Sequence, residues 1–203
     1  NPAVTGNLKK GLLVPGMVTF CDQLESRVRG RLFHTAGREA DKDKFCGSTV
    51  FVDAASGFLH VEHQVTLNAA DSIMAKEGFE RTAAQHGVTV DAYHTDNGIY
   101  KSRAFVDAIH RNHQVIRYSG VGAKWQNGVA ESAIGMVSSP ARTLMILAAL
   151  HWPEADDESL WPLAVSYAAH LYNHTPNRDT GIAPIKVFTQ TKSDGQALRN
   201  AHT

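Results

Sequence analysis

Three acidic residues carry the chemistry this sequence offers. Asp96 lies in HTDNG (residues 94–98), between the apolar stretch VTVDAY (88–93) and a segment of helical character. Asp followed by Asn-Gly is also a common turn former, because these residues tolerate positive φ and bond their own backbone. That reading explains the composition and no chemistry. Asp22 follows the apolar run MVTFC (17–21), and Glu131 follows the glycine-rich stretch SGVGAKWQNG (119–128). Sites in open sheets form beyond the carboxyl ends of adjacent strands. Neighbouring strands would therefore bring Asp22 and Asp96 together, and Glu131, early in a helix, would reach over the same edge. Three carboxylates without a basic partner repel one another and raise at least one pKa. A divalent cation relieves that conflict. Oxygen-only ligation selects a hard ion such as Mg²⁺. Two such ions roughly 4 Å apart activate an attacking oxygen and stabilise a leaving one in phosphoryl displacement, which is the chemistry of cutting and joining DNA.

The elements that must position these residues follow from periodicity. MVTFC predicts a buried strand, and the charged stretch 23–47 predicts a solvated excursion. STVFVD and FLHVEHQV flank AASG as two strands of a hairpin. Asn68 or Asp71 caps a helix running to about Gln85, stopped by His86-Gly87. VTVDAY is then a strand, SRAFVDAIHRN a helix and QVIRY a strand. VAESAIGMV reads as a helix, and SSPARTLMILAAL as a fresh helical start with Pro140 in its first turn; one long kinked helix is the competing description. In residues 159–173, Leu160, Ala164, Tyr167, Ala168 and Leu171 form the stripe expected to pack on the sheet. Three hairpin-linked strands followed by helix, strand, helix, strand imply an α/β domain, a mixed sheet with helices on its faces.

Composition sets the bounds. With 203 residues, 43% of them hydrophobic, the chain can bury a sizeable core. No run reaches about 18 continuous apolar residues, and the opening NPAVTGNLKK lacks the apolar centre of a signal peptide. Twenty Lys+Arg balance twenty Asp+Glu, so any nucleic-acid contact must be local. Cys21 and Cys46 have no zinc-type spacing and are expected as reduced packing residues. His60 and His63 in HVEH are three apart on an expected strand, hence on opposite faces and unsuited to sharing a metal. Residues 1–16 read as a leading linker, 17–178 as the core and 179–203 as a C-terminal extension.

HTDNG, with Glu131 in WQNGVAES 35 positions after Asp96, resembles the catalytic core of retroviral and retrotransposon integrases. The segment from Ala141 to Phe188, ARTLMILAALHWPEADDESLWPLAVSYAAHLYNHTPNRDTGIAPIKVF, is similar to the corresponding region of Ty1/copia-type elements. The resemblance covers residues 16 to 190 and implies an RNase H-like fold, with a five-stranded mixed sheet flanked by helices on both faces. It implies that Asp22, Asp96 and Glu131 hold two Mg²⁺ or Mn²⁺ ions and catalyse DNA 3′-end processing and strand transfer. It implies DNA as partner (element ends and a target duplex), homo-oligomers, other parts of a polyprotein, and the nucleus as the place of action. Asn97 and Gly98 shape the turn behind Asp96. Asn97, Lys124, Trp125, Gln126 and Asn127 are the DNA contacts it suggests, through phosphate attraction, stacking and hydrogen bonding. Asp53 competes with Asp22 for the first position, since it also ends a strand, but its place at a hairpin turn favours a structural role. Two departures point to a repurposed core that binds without catalysis: no Lys or Arg follows Glu131 until Arg142, and Pro140 interrupts a helix the family keeps continuous.

Overall fold

The computed structural model describes residues 13–35, 38–120 and 127–190. Five strands form one mixed sheet in the order β3-β2-β1-β4-β5. β1 (Thr19–Gly30), β2 (Phe45–Asp53) and β3 (Leu59–Gln64) make an antiparallel meander. β4 (Ala92–Thr95) and β5 (Val115–Tyr118) add in parallel at the β1 edge. The parallel joins are made through α1 (Ala69–Gln85) and α2 (Arg103–Arg111), and α3 (Gly128–His151), α4 (Trp161–His174) and the short α5 (Pro184–Phe188) follow.

Alternation along the central strands divides the core into two layers. Phe20, Val50 and Val52 face one side, where Ala130, Ala133, Val137 and Ala141 of α3 meet Trp161, Val165 and Ala168 of α4. Cys21 and Phe51 face the other side, against Phe79 of α1, Phe105 and Ile109 of α2, and Phe188 of α5. Helices thus cover both faces, as expected. Side chains of opposite parity on a strand leave by opposite faces, so β2, read as FCGSTVFVD, is apolar on both sides and buried nearly throughout.

Several boundaries differ from expectation. β1 does not stop near Cys21 but runs to Gly30, so the solvated excursion begins later. Its second half alternates, with Leu24 and Val28 packed against the core and Glu25, Arg27 and Arg29 exposed, the pattern of a half-buried strand. Trp161 fixes this end, its indole Nε1 donating to the Val28 carbonyl at 2.9 Å. β4 begins at Ala92 rather than Val88, because its ladder partners begin there: Tyr93 pairs with Thr19 and Ala92 with Val115. Val88 and Val90 are buried ahead of the ladder. α1 matches its expected bounds, with the Asn68 side chain accepting from the Asp71 amide at 2.9 Å.

The segment around Pro140 is one helix, not two. Proline forfeits a hydrogen bond to the carbonyl four residues back, yet the buried stripe from Ala130 to Ala141 holds both sides of it on the sheet. The Ser138 hydroxyl bonds the Ile134 carbonyl, and the Thr143 hydroxyl bonds that of Ser139 at 3.2 Å. By length and composition α3 is also apolar enough to cross a membrane, although no run within it is continuously apolar. α4 turns a different stripe inward from the one expected. Trp161, Val165, Ala168 and Ala169 are buried, whereas Leu163, Tyr167 and Leu171 are exposed. α5, within the segment expected as an extension, packs Phe188 fully into the core.

Candidate active site

Asp22 is the fourth residue of β1, within the strand rather than beyond its end. β1 and β4 run parallel, with Thr19 opposite Tyr93 and Phe20 opposite His94. Carrying that register two residues onward sets Asp22 level with Asp96, which leaves β4 immediately after Thr95. Asp22 shares its parity with Phe20 and so lies on the face covered by α3. Glu131 stands in the first turn of α3, exposed, where a carboxylate is favoured by the unpaired amides of the helix N-terminus.

The Asp22 carboxylate is half-buried and held on both oxygens. Oδ1 accepts the Gln23 backbone amide at 2.8 Å, and Oδ2 accepts the Asn127 side-chain amide at 3.1 Å. Burial raises its pKa above the ordinary carboxylate value, and the negative charges of Asp96 and then Glu131 add to that rise. The Gln23 and Asn127 hydrogen bonds oppose it. Asp22 therefore feels both expected companions. Asp96 is fixed by an Asx turn, Oδ1 accepting the Gly98 amide at 3.0 Å. A Cβ on residue 98 would stand 3.3 Å from both Asp96 carboxylate oxygens, so glycine leaves room for them. Asn97 ties this turn to the end of β5, its amide donating to the Ser119 carbonyl at 2.8 Å.

Asn127 departs from its expected role as an exposed contact. It is only 2% exposed, and its amide is turned to Asp22. As the residue before α3 it would be expected to cap the helix, but its side chain makes no capping bond. Its carbonyl Oδ1 is buried without a partner. Lys124, Trp125 and Gln126 lie outside the described residues.

The donor set suits a hard cation: all oxygen, with one carboxylate pushed toward its neutral form by burial and by two like charges. Among the described residues, however, no three His, Cys, Asp or Glu side chains are gathered closely enough to hold one ion. His60 and His63 are separated across the sheet as expected. His60 lies against Phe51 and Phe79, while His63 lies against Phe45 and Trp161. Both cysteines are free, Cys21 fully buried.

Asp53 stands three rungs from Asp22 on the β1–β2 ladder, opposite Thr19, and its parity turns it to the other face of the sheet. It is 1% exposed, and its oxygens accept from the Gly16 amide and from the Ser56 amide and hydroxyl. Buried and bonded on both oxygens, it is a fastening of the hairpin. Sequence reading missed Arg117, an exposed cation on β5 opposite His94 whose charge lowers the pKa of that half-buried imidazole after burial has done so. Arg117 sits at an alternating position of QVIRY, on the same face as His94 and one row from Asp96; only the β4–β5 register reveals it.

No family model and no curated protein sequence matches the chain. Solved structures do. One is a chain of the simian T-cell lymphotropic virus intasome, determined by electron cryomicroscopy in complex with the PP2A regulatory subunit B56 gamma (TM-score 0.63, 17% identity). The match covers 89% of this chain and 57% of that one, so this chain spans little more than half its length. The HTLV-2 integrase catalytic core domain with magnesium matches in a dimeric form (TM-score 0.58, 19% identity) and a trimeric form (TM-score 0.59, 18% identity). Each of these matches covers 87% of this chain and 98% of the HTLV-2 chain. The five-stranded mixed sheet with its flanking helices is the fold of these integrase cores.

Proposed function

We propose that this domain is an integrase-type catalytic core that processes DNA 3′ ends and transfers them to a target duplex. The observation that carries the reading is the shared level of Asp22 and Asp96 on paired strands, with Glu131 entering from α3 close enough to act on Asp22. The integrase-core fold, and the magnesium present in the two HTLV-2 structures, support it. Asp22, Asp96 and Glu131 would hold two Mg²⁺ or Mn²⁺ ions, which when bound neutralise charge and activate the attacking oxygen. The chain's own residues orient the groups. Asn127 and the Gln23 amide fix the plane of the Asp22 carboxylate, and Gly98 seats that of Asp96. Arg117 offers a phosphate a cation beside the carboxylates, on a face where α3 supplies none before Arg142. Origin in a Ty1/copia-like polyprotein, action in the nucleus, DNA partners and homo-oligomers belong to the same proposal.

A second reading is a repurposed core that binds nucleic acid or protein without catalysis. The absence of a three-ligand cluster among the described residues favours it, as does the lack of basic residues early on α3. Strand transfer between oligonucleotides in Mg²⁺ or Mn²⁺ separates the two. Activity that disappears in Asp96→Asn supports catalysis, and equal activity in the two proteins rejects it.

A further inference from the structure

α4 carries two apolar stripes, and folding uses only one. Leu163, Tyr167 and Leu171 recur every fourth residue on the outer side, all substantially exposed. The second half of α3 continues this surface. Beyond Ala141, Met145 still packs on the core, while Ile146 and Leu147 are about half exposed, Leu150 is 71% exposed and Trp152, just past the helix end, 59%. Between the helices runs a groove of about 290 Å³, floored by Leu144, Met145, Ala148, Leu160 and Ala164. Contiguous apolar surface of this kind marks an interaction site.

Charge identifies the occupant. From Thr143 to His174 there is no Lys or Arg, and the four formal charges are Glu154, Asp156, Asp157 and Glu158, an acidic segment in a chain whose charges balance as a whole. Asp156 and Asp157 are the charged residues that line the groove among the described residues. Asp157 is partly engaged, capping Ser159 and lying within reach of Arg31 and Lys44. Glu154, Asp156 and Glu158 stand exposed in the connector. A nucleic acid or an anionic membrane would be repelled, and a second copy would bring the same sign. A helix laid into a groove reads it through apolar residues at spacings of three and four, with opposite charges at the rim setting orientation.

We propose that the α3–α4 groove is a docking site for a basic amphipathic helix of a protein partner. The probe is a fluorescein-labelled 14-residue peptide of two LKKLLKL repeats, titrated with the full chain and followed by anisotropy. Saturable binding is expected, with none for the LEELLEL counterpart. Leu147→Asp and Leu163→Asp, at half-exposed positions, should each weaken it by about tenfold or more while leaving the thermal midpoint unchanged. A combined Asp156→Lys, Glu158→Lys variant should weaken it and flatten its dependence on salt. Equal binding by parent and variants, or equal binding of both peptides, overturns the proposal. So does a concentration-dependent dimer that Leu147→Asp converts to monomer, or binding to neutral phosphatidylcholine vesicles that this substitution abolishes, because a second copy or a lipid surface would then be the occupant.

Discussion

Asp22 and Asp53 sit three rungs apart on one antiparallel ladder, in β1 and β2, on opposite faces of the sheet, and the same side chain does opposite work at the two places. Asp53 is sealed. Its oxygens receive three hydrogen bonds, one from Gly16, whose φ of +87° and crowding against Thr89 admit only glycine, so the carboxylate locks the lead-in to β1 onto the hairpin. Asp22 is left half open, with two donors and two like charges in reach. A buried charge is stable where donors satisfy it and reactive where neighbours oppose it. One face of the ladder therefore carries a fastening and the other a candidate reaction centre.

The largest expected effect tests the open carboxylate. Asp22→Asn and Asp96→Asn should each reduce strand transfer to background in an oligonucleotide assay. The same Asp22→Asn change should raise the thermal midpoint of the metal-free protein at neutral pH. The sign follows from the raised pKa: the folded state binds the proton more tightly than the unfolded chain, so stability is highest below the ordinary carboxylate value of 3.8 and falls as pH rises through the folded value. A lowered midpoint in Asp22→Asn would instead make Asp22 a second fastening and erase the contrast.

At the sealed carboxylate, Asp53→Ala should cost about 4 kcal/mol, since three hydrogen bonds are lost and buried donors are left unpaired. Denaturant unfolding measures this, and activity per folded molecule should not change. Loss of activity at full stability would reverse the two assignments.

His63 sharpens the comparison, because burial that raises the Asp22 pKa lowers that of an imidazole. Its pKa falls from 6.5 to about 4, with Nδ1 bonded to the Ser48 hydroxyl and Nε2 to that of Ser166. The unfolded chain takes the proton first, so stability present above pH 6.5 is lost as pH falls towards 4, on the order of 3 kcal/mol in all. Denaturant midpoints at successive pH values should show that loss, and His63→Gln should lack it. The smallest effect is remote from both carboxylates: Asn68→Ala removes the cap of α1 and should cost about 1 kcal/mol with strand transfer unchanged.

Much of this was legible in order and type. The strand and helix sequence, the cap at Asn68, the two faces of HVEH and the structural character of Asp53 all follow from local periodicity and turn chemistry. Legibility failed where a second partner decides. β1 seemed to end at Cys21 because charges crowd its second half, yet one apolar face is enough once β2 supplies a ladder. α4 is expected to bury the stripe from Leu160 to Leu171, and the sheet instead covers Trp161, Val165, Ala168 and Ala169, a choice that contacts distant in sequence make. Asn127 read as a DNA contact, and became a partner of Asp22 only through a hydrogen bond spanning 105 residues.

By itself the sequence determined the elements, the three acids available for chemistry and the apolar residues that must be hidden from water, because these depend on spacings within a turn or a strand pair. Tertiary structure alone decided that Asp22 stands level with Asp96, that Arg117 joins their face, and that the outer stripe of α4 is left bare. Register between strands and the choice between apolar faces are set by contacts distant in sequence, and no local pattern encodes them.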